Sequence, residues 1–116
     1  MNCRRGDVVL VLFPDSNLRS AKRRPALVIQ ADGLGTGLSQ TIVAMISSNL
    51  TRAGHASRVM VHADSTRGRQ AGLPMDSVIM ADNLATIHLA ELDRVIGTLS
   101  DLTDIDDALR STLALP

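Results

Sequence analysis

Apolar residues in this chain come in short runs, and the length of those runs most constrains its fold. The first four runs fall at residues 8–13, 25–31, 40–47 and 58–63. They are rich in Val and Ile and are bounded by Gly, Pro or polar residues, a pattern typical of β-strands. Pro25 fits the start of the second strand, because proline is tolerated at a strand's first residue. Residues 15–24 are polar and predict a loop.

The C-terminal part predicts further strands and a closing helix. Residues 77–88 indicate one or two strands with a bend near Asp82 and Asn83, and residues 89–95 a short helical turn. A single apolar stripe at helical spacing then follows: Leu102, Ile105, Leu109 and Leu113. Thr103 is the expected N-cap of this helix. The fold class is therefore mainly β, a small twisted barrel or roll with one helix packed on it.

Length and composition place the chain among single-domain proteins of a reducing compartment. Its 116 residues suit one domain over residues 1–116, and 45% are hydrophobic, enough for a core. Cys3 is the only cysteine, so a disulfide within the chain is excluded. No apolar run approaches the roughly 18–20 residues that span a membrane, and we expect a cytoplasmic protein. Phe13 is the only aromatic residue, which excludes an aromatic platform for stacked bases.

The formal net charge is zero, but the charges are unevenly distributed. Residues 1–74 carry ten Lys and Arg against four Asp, which is +6, and residues 75–116 carry two Arg against eight Asp and Glu, which is −6. Such asymmetry predicts a basic surface for a polyanion or an acidic partner. The alternative is that folding mixes the two halves and no basic surface survives.

Motifs for metal and nucleotide binding are missing. None of the histidines His55, His62 and His88 has the spacing of a zinc-ligand pair, so we expect no metal and no cofactor. His62 or His88 as a general base stays open. The glycine-rich residues 33–37 lack both the GxGxxG order and a following Lys-Ser/Thr, and they are interpreted as a hairpin connection.

Three consecutive cations, Lys22, Arg23 and Arg24, directly precede the second apolar run. If that run pairs with the third as an antiparallel hairpin, Arg24 lies opposite Ser47 or Ser48. A guanidinium makes forked hydrogen bonds to phosphate, and a neighbouring hydroxyl adds another, so this pair would form a phosphate site. A cationic strand end with no chemical role is the alternative interpretation. A serine hydrolase is not indicated, because no G-x-S-x-G sequence is present.

Segments in this order and spacing resemble one known family. The segments are RGDVVLVLFPDS, KRRPALVIQAD, TIVAMISSN, GLPMDSVIMADNLATI and IGTLSD before the last helix. Together they cover nearly the whole chain and are similar to the MazF/PemK toxins, the endoribonucleases of type II toxin–antitoxin systems. The resemblance implies an SH3-like β-barrel of the CcdB/PemK type with a C-terminal helix, usually as a homodimer.

The resemblance also implies an activity and a partner. Members of this family cleave single-stranded RNA, often mRNA, at short specific sequences without a metal ion. The 2′-OH of the RNA attacks the phosphate and leaves a 2′,3′-cyclic phosphate and a 5′-OH. A cognate antitoxin would lay an acidic, disordered tail across the same basic groove.

Residue roles follow from the same resemblance. Arg24 matches the family's catalytic arginine, and Ser47 stands at the position of its catalytic threonine, with the hydroxyl retained. The residues predicted to bind RNA are Arg19, Lys22, Arg23, Gln40, Ser48 and Asn49. Ala85 stands where some relatives have an arginine that helps to engage RNA. The alternatives are therefore a degenerate toxin that only binds its antitoxin, or a non-catalytic poison of DNA gyrase like the CcdB-type toxins.

Overall fold

A computed structural model describes residues 2–14 and 21–116, and in it six antiparallel strands form one sheet. The strands are β1 (Asp7–Pro14), β2 (Ala21–Val28), β3 (Gln40–Ser47), β4 (Arg58–Val61), β5 (Ser77–His88) and β6 (Leu92–Thr98). The helices are α1 (Thr66–Gln70) and α2 (Thr103–Leu113), with 3₁₀ turns at Leu50–Arg52 and Leu89–Glu91. The spatial order is β4-β5-β3-β2-β1-β6. The prediction of a mainly β fold with a C-terminal helix is confirmed.

The sheet is open, which corrects the expectation of a barrel. Among the described residues no ladder joins β4 to β6, so each of these strands has a single strand neighbour. The turn after α1 instead lies against β6, where Ala71 and Gly72 approach Ile96 and Gly97 closely. A Cβ on Gly97 would be 2.2 Å from the carbonyl carbon of Ala71. Edge strands are commonly protected by such a covering segment.

The basic segment is a strand and not a loop, so the prediction for residues 15–24 is wrong over residues 21–24. β2 begins at Ala21, and its residues Lys22, Arg23 and Arg24 pair with Phe13, Leu12 and Val11 of β1. Pro25 accordingly lies inside β2 instead of at its start. Sequence reasoning ended the strand where its apolar residues end, but the ladder to β1 continues through residues whose side chains are exposed.

Strands β3 and β5 agree with the sequence, and β6 was missed. β3 has the predicted bounds. The bend expected near Asp82 and Asn83 is confirmed, because the pairing of β5 with β3 jumps from Leu84 to Met80. Such an interruption bends a strand and increases its twist. The predicted helical turn over residues 89–95 is limited to the 3₁₀ turn, and β6 starts directly after it.

The two faces of the sheet carry separate apolar clusters. The first core contains Val8, Leu27, Ala44, Ile46, Val61, Ala71, Leu73, Ile79, Leu99 and Ile105. The second core contains Val9, Val11, Ala26, Val28, Val43, Met45, Val78, Met80, Ile87 and Leu92. Neighbouring residues of one strand, such as Ile79 and Met80, belong to different cores, as expected when side chains alternate between faces. Helix α2 packs on the first core through Ile105.

Helix α2 differs from the prediction at both ends. Thr103 is its first residue, and the carboxylate of Asp101 accepts hydrogen bonds from the backbone N–H and the hydroxyl of Thr103 at 3.0 and 2.8 Å. Leu113 was expected in the buried stripe but is 52% exposed. The guanidinium of Arg67 anchors the start of the helix with two bonds of 2.6 and 2.7 Å to the Asp104 carboxylate. No helix in the described ranges is long and apolar enough to cross a membrane.

Candidate active site

The ladder between β2 and β3 ends two residues before the predicted catalytic pair, Arg24 and Ser47. Ala26, Leu27 and Val28 pair with Met45, Ala44 and Val43. Continued by two residues, this antiparallel register sets Arg24 opposite Ser47. Directly opposed residues have Cα atoms about 4.5–5.5 Å apart. The two side chains therefore start from neighbouring positions at one end of the sheet.

Side-chain alternation also divides the three cations of β2. Alternate residues of a strand point to the same face of the sheet. Lys22 and Arg24 therefore share the face of Ala26 in β2, and Ser47 shares the face of Met45 in β3. Both Ala26 and Met45 belong to the second core. Arg23 has the opposite parity, and its guanidinium is 3.2 Å from the carboxylate of Asp93. Lys22 and Arg24 thus lie on the Ser47 side of the sheet, whereas Arg23 does not.

Hydrogen bonds around Ser47 leave its hydroxyl proton available. The Oγ of Ser47 accepts a bond of 3.1 Å from the backbone N–H of Asn49. A hydroxyl has one donor and two acceptor sites, so Ser47 keeps its proton and one lone pair for another group. Ser47 is half-buried at the end of β3, where a bound phosphate could accept that proton.

Asn49 is fixed in orientation by its neighbours. Its amide Oδ1 accepts from the backbone N–H of Thr51 at 3.2 Å and from the Thr51 hydroxyl at 2.7 Å. Because a backbone N–H only donates, the atom facing it must be the amide oxygen. The NH₂ group of Asn49 therefore points elsewhere with two donors, suited to acceptors on a base or a phosphate. Ser48, between Ser47 and Asn49, is exposed.

One predicted RNA-binding residue, Gln40, lies far from Ser47. Gln40 begins β3 and Ser47 ends it, a separation of about 23 Å at the usual rise of a strand. Gln40 instead pairs with His88 and lines a shallow depression of about 150 Å³ with Cys3, Asp32 and Thr41. Arg19 lies outside the described residues.

In the folded protein, part of the basic segment 1–74 forms ion pairs with the acidic segment 75–116. Four arginines of residues 1–74 form ion pairs with aspartates of residues 75–116: Arg5 with Asp106, Arg23 with Asp93, Arg58 with Asp82, and Arg67 with Asp104. These four pairs remove four of the ten cations from any basic surface. Two further cations of the basic half, Lys22 and Arg24, lie with their side chains exposed on β2.

Two other groups that could take part in catalysis, His62 and Cys3, do not join this site. The Nδ1 of His62 is 3.5 Å from the carboxylate of Asp76, and hydrogen bonds from Ala63 and then from His62 lower the pKa of Asp76. Strand β5 separates β4 from β3, so His62 is about 10 Å or more from Ser47 at the usual strand spacing. Burial, and secondly Asp7, raises the pKa of the Cys3 thiol, which disfavours the reactive thiolate.

Metal ligands do not gather in the part of the chain that the structure describes. No three His, Cys, Asp or Glu side chains come together there.

Sequence reasoning missed one group of residues next to Ser47. The 3₁₀ turn that follows β3 carries Arg52, whose Nη1 is 3.9 Å from the Sδ of Met80. Arg58 holds this turn by donating to the backbone oxygen of Arg52 at 2.9 Å, and Asp82 in turn binds Arg58 at 3.1 and 3.3 Å. The bond to Arg58 lowers the pKa of the Asp82 carboxyl. These contacts join distant segments, and no sequence pattern signals them.

Comparison with known families assigns the chain to one group of proteins. Residues 4–113 match the family described as PemK-like, MazF-like toxin of type II toxin-antitoxin system. The chain belongs to the PemK/MazF toxin family. The resemblance seen in the sequence is thereby confirmed.

Relatives of known name agree with this assignment. The endoribonuclease MazF2 of Mycobacterium bovis is 36% identical over 107 residues, which cover 90% of each chain. The solved Mycobacterium tuberculosis toxin MazF-mt6 is 26% identical and superposes with a TM-score of 0.73 over 95% of this chain and 98% of its own. A mycobacterial endoribonuclease in complex with its cognate antitoxin shares the fold, with 20% identity and a TM-score of 0.73 over 99% and 98% of the two chains.

Proposed function

We propose that this protein is a toxin endoribonuclease that cleaves single-stranded RNA, including mRNA, at short specific sequences. The observation that carries the proposal is the β2–β3 register, whose last pair is Ala26 with Met45 and which, extended by two residues, would put Arg24 opposite Ser47 on one face of the sheet. The forked N–H donors of the Arg24 guanidinium and the hydroxyl of Ser47 are suited to hydrogen-bond the oxygens of a phosphodiester. The named relatives, which are endoribonucleases, support the same chemistry.

In the proposed reaction the 2′-oxygen of the RNA attacks the adjacent phosphorus. A bond forms between the 2′-oxygen and phosphorus, and the bond from phosphorus to the 5′-oxygen of the next nucleotide breaks. The 2′-hydroxyl loses a proton and the departing 5′-oxygen gains one. The products are a 2′,3′-cyclic phosphate and a 5′-OH, with no water consumed and no metal ion required.

Arg24 and Ser47 have distinct roles in this step. The guanidinium of Arg24 stabilises the negative charge that develops on the phosphate oxygens in the transition state and assists the departing 5′-oxygen. The Ser47 hydroxyl, which already accepts a hydrogen bond from the backbone N–H of Asn49, donates a hydrogen bond to a phosphate oxygen. Lys22 contacts a backbone phosphate on the same face, and the NH₂ of Asn49 and the exposed Ser48 hydrogen-bond to the RNA.

The protein partners of the proposed toxin are a second copy of itself and a cognate antitoxin. The antitoxin would lay an acidic segment on the surface that includes Lys22 and Arg24 and so exclude RNA. The solved mycobacterial complex of an endoribonuclease with its antitoxin supports a partner of this kind.

The proposal is tested with purified protein and single-stranded RNA in the presence of EDTA. The wild-type protein is expected to cleave, and Arg24→Ala is expected to be strongly impaired. Arg94→Ala is the matched control, because Arg94 is exposed and pairs with Leu10, whose side chain points away from the second core. Equal cleavage by Arg24→Ala and wild type, or cleavage that EDTA abolishes, would contradict the mechanism. In cells induced to express the protein, damage to DNA with intact RNA would indicate a gyrase poison instead.

A further inference from the structure

The surface beside Ser47 carries a cation that the mechanism above does not use. Arg52 is exposed, and the one hydrogen bond that its side chain makes among the described residues is the 3.9 Å approach of Nη1 to the Sδ of Met80. A thioether is a weak acceptor, so the guanidinium keeps nearly all of its hydrogen-bonding capacity. This distinguishes Arg52 from Arg5, Arg23, Arg58 and Arg67, each of which has a carboxylate partner.

The position of the Arg52 guanidinium follows from that contact with Met80. Met80 pairs with Met45 and belongs to the second core, the face that carries Ser47. Val78, the β5 partner of Ser47, is two residues from Met80, or about 7 Å along the strand. The guanidinium of Arg52 therefore lies on the same face as Ser47, about one nucleotide's length from it.

The backbone that carries Arg52 is held in place. Asn49 caps the 3₁₀ turn by accepting from Thr51, and Arg58 donates to the backbone oxygen of Arg52. Asp82 orients Arg58 through bonds to two of its nitrogens. A cation on a fixed turn loses less conformational freedom on binding than one on a mobile loop, which favours its use as a ligand contact.

We propose that Arg52 binds a phosphate of the RNA backbone next to the phosphate that is cleaved. The inference rests on the proposed function, since it assigns the additional contact to the same substrate. A forked guanidinium suits the paired oxygens of a phosphate, and such contacts position RNA without reading its sequence. Arg52 is thus an RNA-positioning residue and not a catalytic one.

The test measures binding of a mixed-sequence, 2′-O-methyl RNA 12-mer by fluorescence anisotropy over a series of salt concentrations. The 2′-O-methyl group blocks the attacking oxygen, so binding is measured without cleavage. Arg52→Ala is expected to weaken binding by roughly tenfold at low salt and to lower the slope of log K against log salt by about 0.7, the value for one single-strand phosphate contact. Arg52→Lys, which keeps the charge, is expected to restore the slope but only part of the affinity.

Arg94→Ala is the control for loss of one positive charge, with an expected change in affinity below about twofold. If Arg52→Ala and Arg94→Ala behave alike, the role of Arg52 is refuted while the proposed function stands. If the wild-type protein does not bind the RNA at all, the role of Arg52 is refuted, and the cleavage assay in EDTA decides the proposed function separately. A poly-glutamate peptide is the second probe, and weaker peptide binding with unchanged RNA binding would assign Arg52 to a protein partner and overturn the proposal.

Discussion

Substituting Arg24 and Ser47 singly and together tests whether they act on one phosphate. Removing one donor that stabilises a developing oxyanion costs roughly 10²–10³ in rate, and we expect about 10² for Arg24→Ala because Arg24 is exposed to water. Ser47→Ala removes a single neutral donor to a charged group, worth about 1.5 kcal/mol or roughly tenfold. Independent effects would multiply to about 10³ in the double variant.

The geometry predicts a smaller loss than that product. When the β2–β3 register is extended by two residues, Arg24 lies opposite Ser47, so both would contact the same phosphate. Groups that share a partner couple by about 1 kcal/mol. A coupling of about 1 kcal/mol is roughly fivefold, which leaves the double variant about 200-fold slower than wild type. The assay is single-turnover cleavage of labelled single-stranded RNA in EDTA.

Stability must be separated from chemistry in this experiment. Arg24 is exposed, so Arg24→Ala is expected to change the free energy of unfolding by no more than about 0.5 kcal/mol in urea titrations. Arg94→Ala again serves as the charge control. If the rate losses of the two single variants multiply fully in the double variant, the idea that both residues contact one phosphate is refuted, even if each residue contributes to the rate.

Three predictions concern the scaffold that holds the site. Asp104→Asn is expected to destabilise the protein by about 1 kcal/mol, discounted for the partial exposure of the pair, because it breaks the fork to Arg67; an unchanged urea midpoint would contradict this. The Arg67 guanidinium lowers the pKa of the Asp104 carboxyl. The ion pair therefore stabilises the folded protein fully above the ordinary aspartate pKa, and this stabilisation is lost as the pH falls through the lowered value. Asp104→Asn should accordingly make the free energy of unfolding depend less on pH in the acid range. Gly97→Ala places a Cβ 2.2 Å from the carbonyl carbon of Ala71 and is expected to cost more than about 2 kcal/mol by urea unfolding. Gly33→Ala meets no atom within 4 Å but puts an alanine at a φ of +65°, so it measures the cost of that backbone conformation without a steric clash and is expected to cost less.

The β2–β3 pairing was predictable from sequence because both strands are dense in buried apolar residues. A slip of one residue would turn Ala26 and Val28, or Val43 and Met45, away from the second core, so the register is strongly specified. Counting outward from the glycine-rich connection was then sufficient to put Arg24 near Ser47. The bend of β5 was also visible, since Asp82 and Asn83 interrupt an apolar run.

The sequence was less informative where contacts join distant parts of the chain. Arg23 was predicted to bind RNA together with Lys22, but strand parity and a carboxylate from β6, Asp93, direct its side chain away from the face of Ser47. Arg52 was overlooked because its neighbour Met80 is 28 residues away in sequence. Gln40 was predicted to bind RNA along with Asn49, although the eight residues of β3 put Gln40 far from Ser47 and Asn49.

The open sheet was likewise not predictable from the sequence, because it depends on packing between distant residues. A barrel requires its first and last strands to pair, and here the turn after α1 packs against β6 through Gly72 and Gly97. The two glycines permit a backbone approach that any side chain would prevent. Their role depends on tertiary packing, so the sequence alone predicted strands and a helix but not an open edge.

The chemistry of the RNA ends tests the central claim most directly. RNA treated with the wild-type protein in EDTA should yield fragments whose 5′ ends accept phosphate from polynucleotide kinase without prior phosphatase treatment and whose 3′ ends are 2′,3′-cyclic phosphates. Arg24→Ala should yield few such fragments, and sequencing the wild-type 5′ ends should reveal one short recognition sequence. Fragments with 5′-phosphates and free 3′-hydroxyls, or the same yield from Arg24→Ala, would contradict attack by the 2′-OH at the Arg24–Ser47 site.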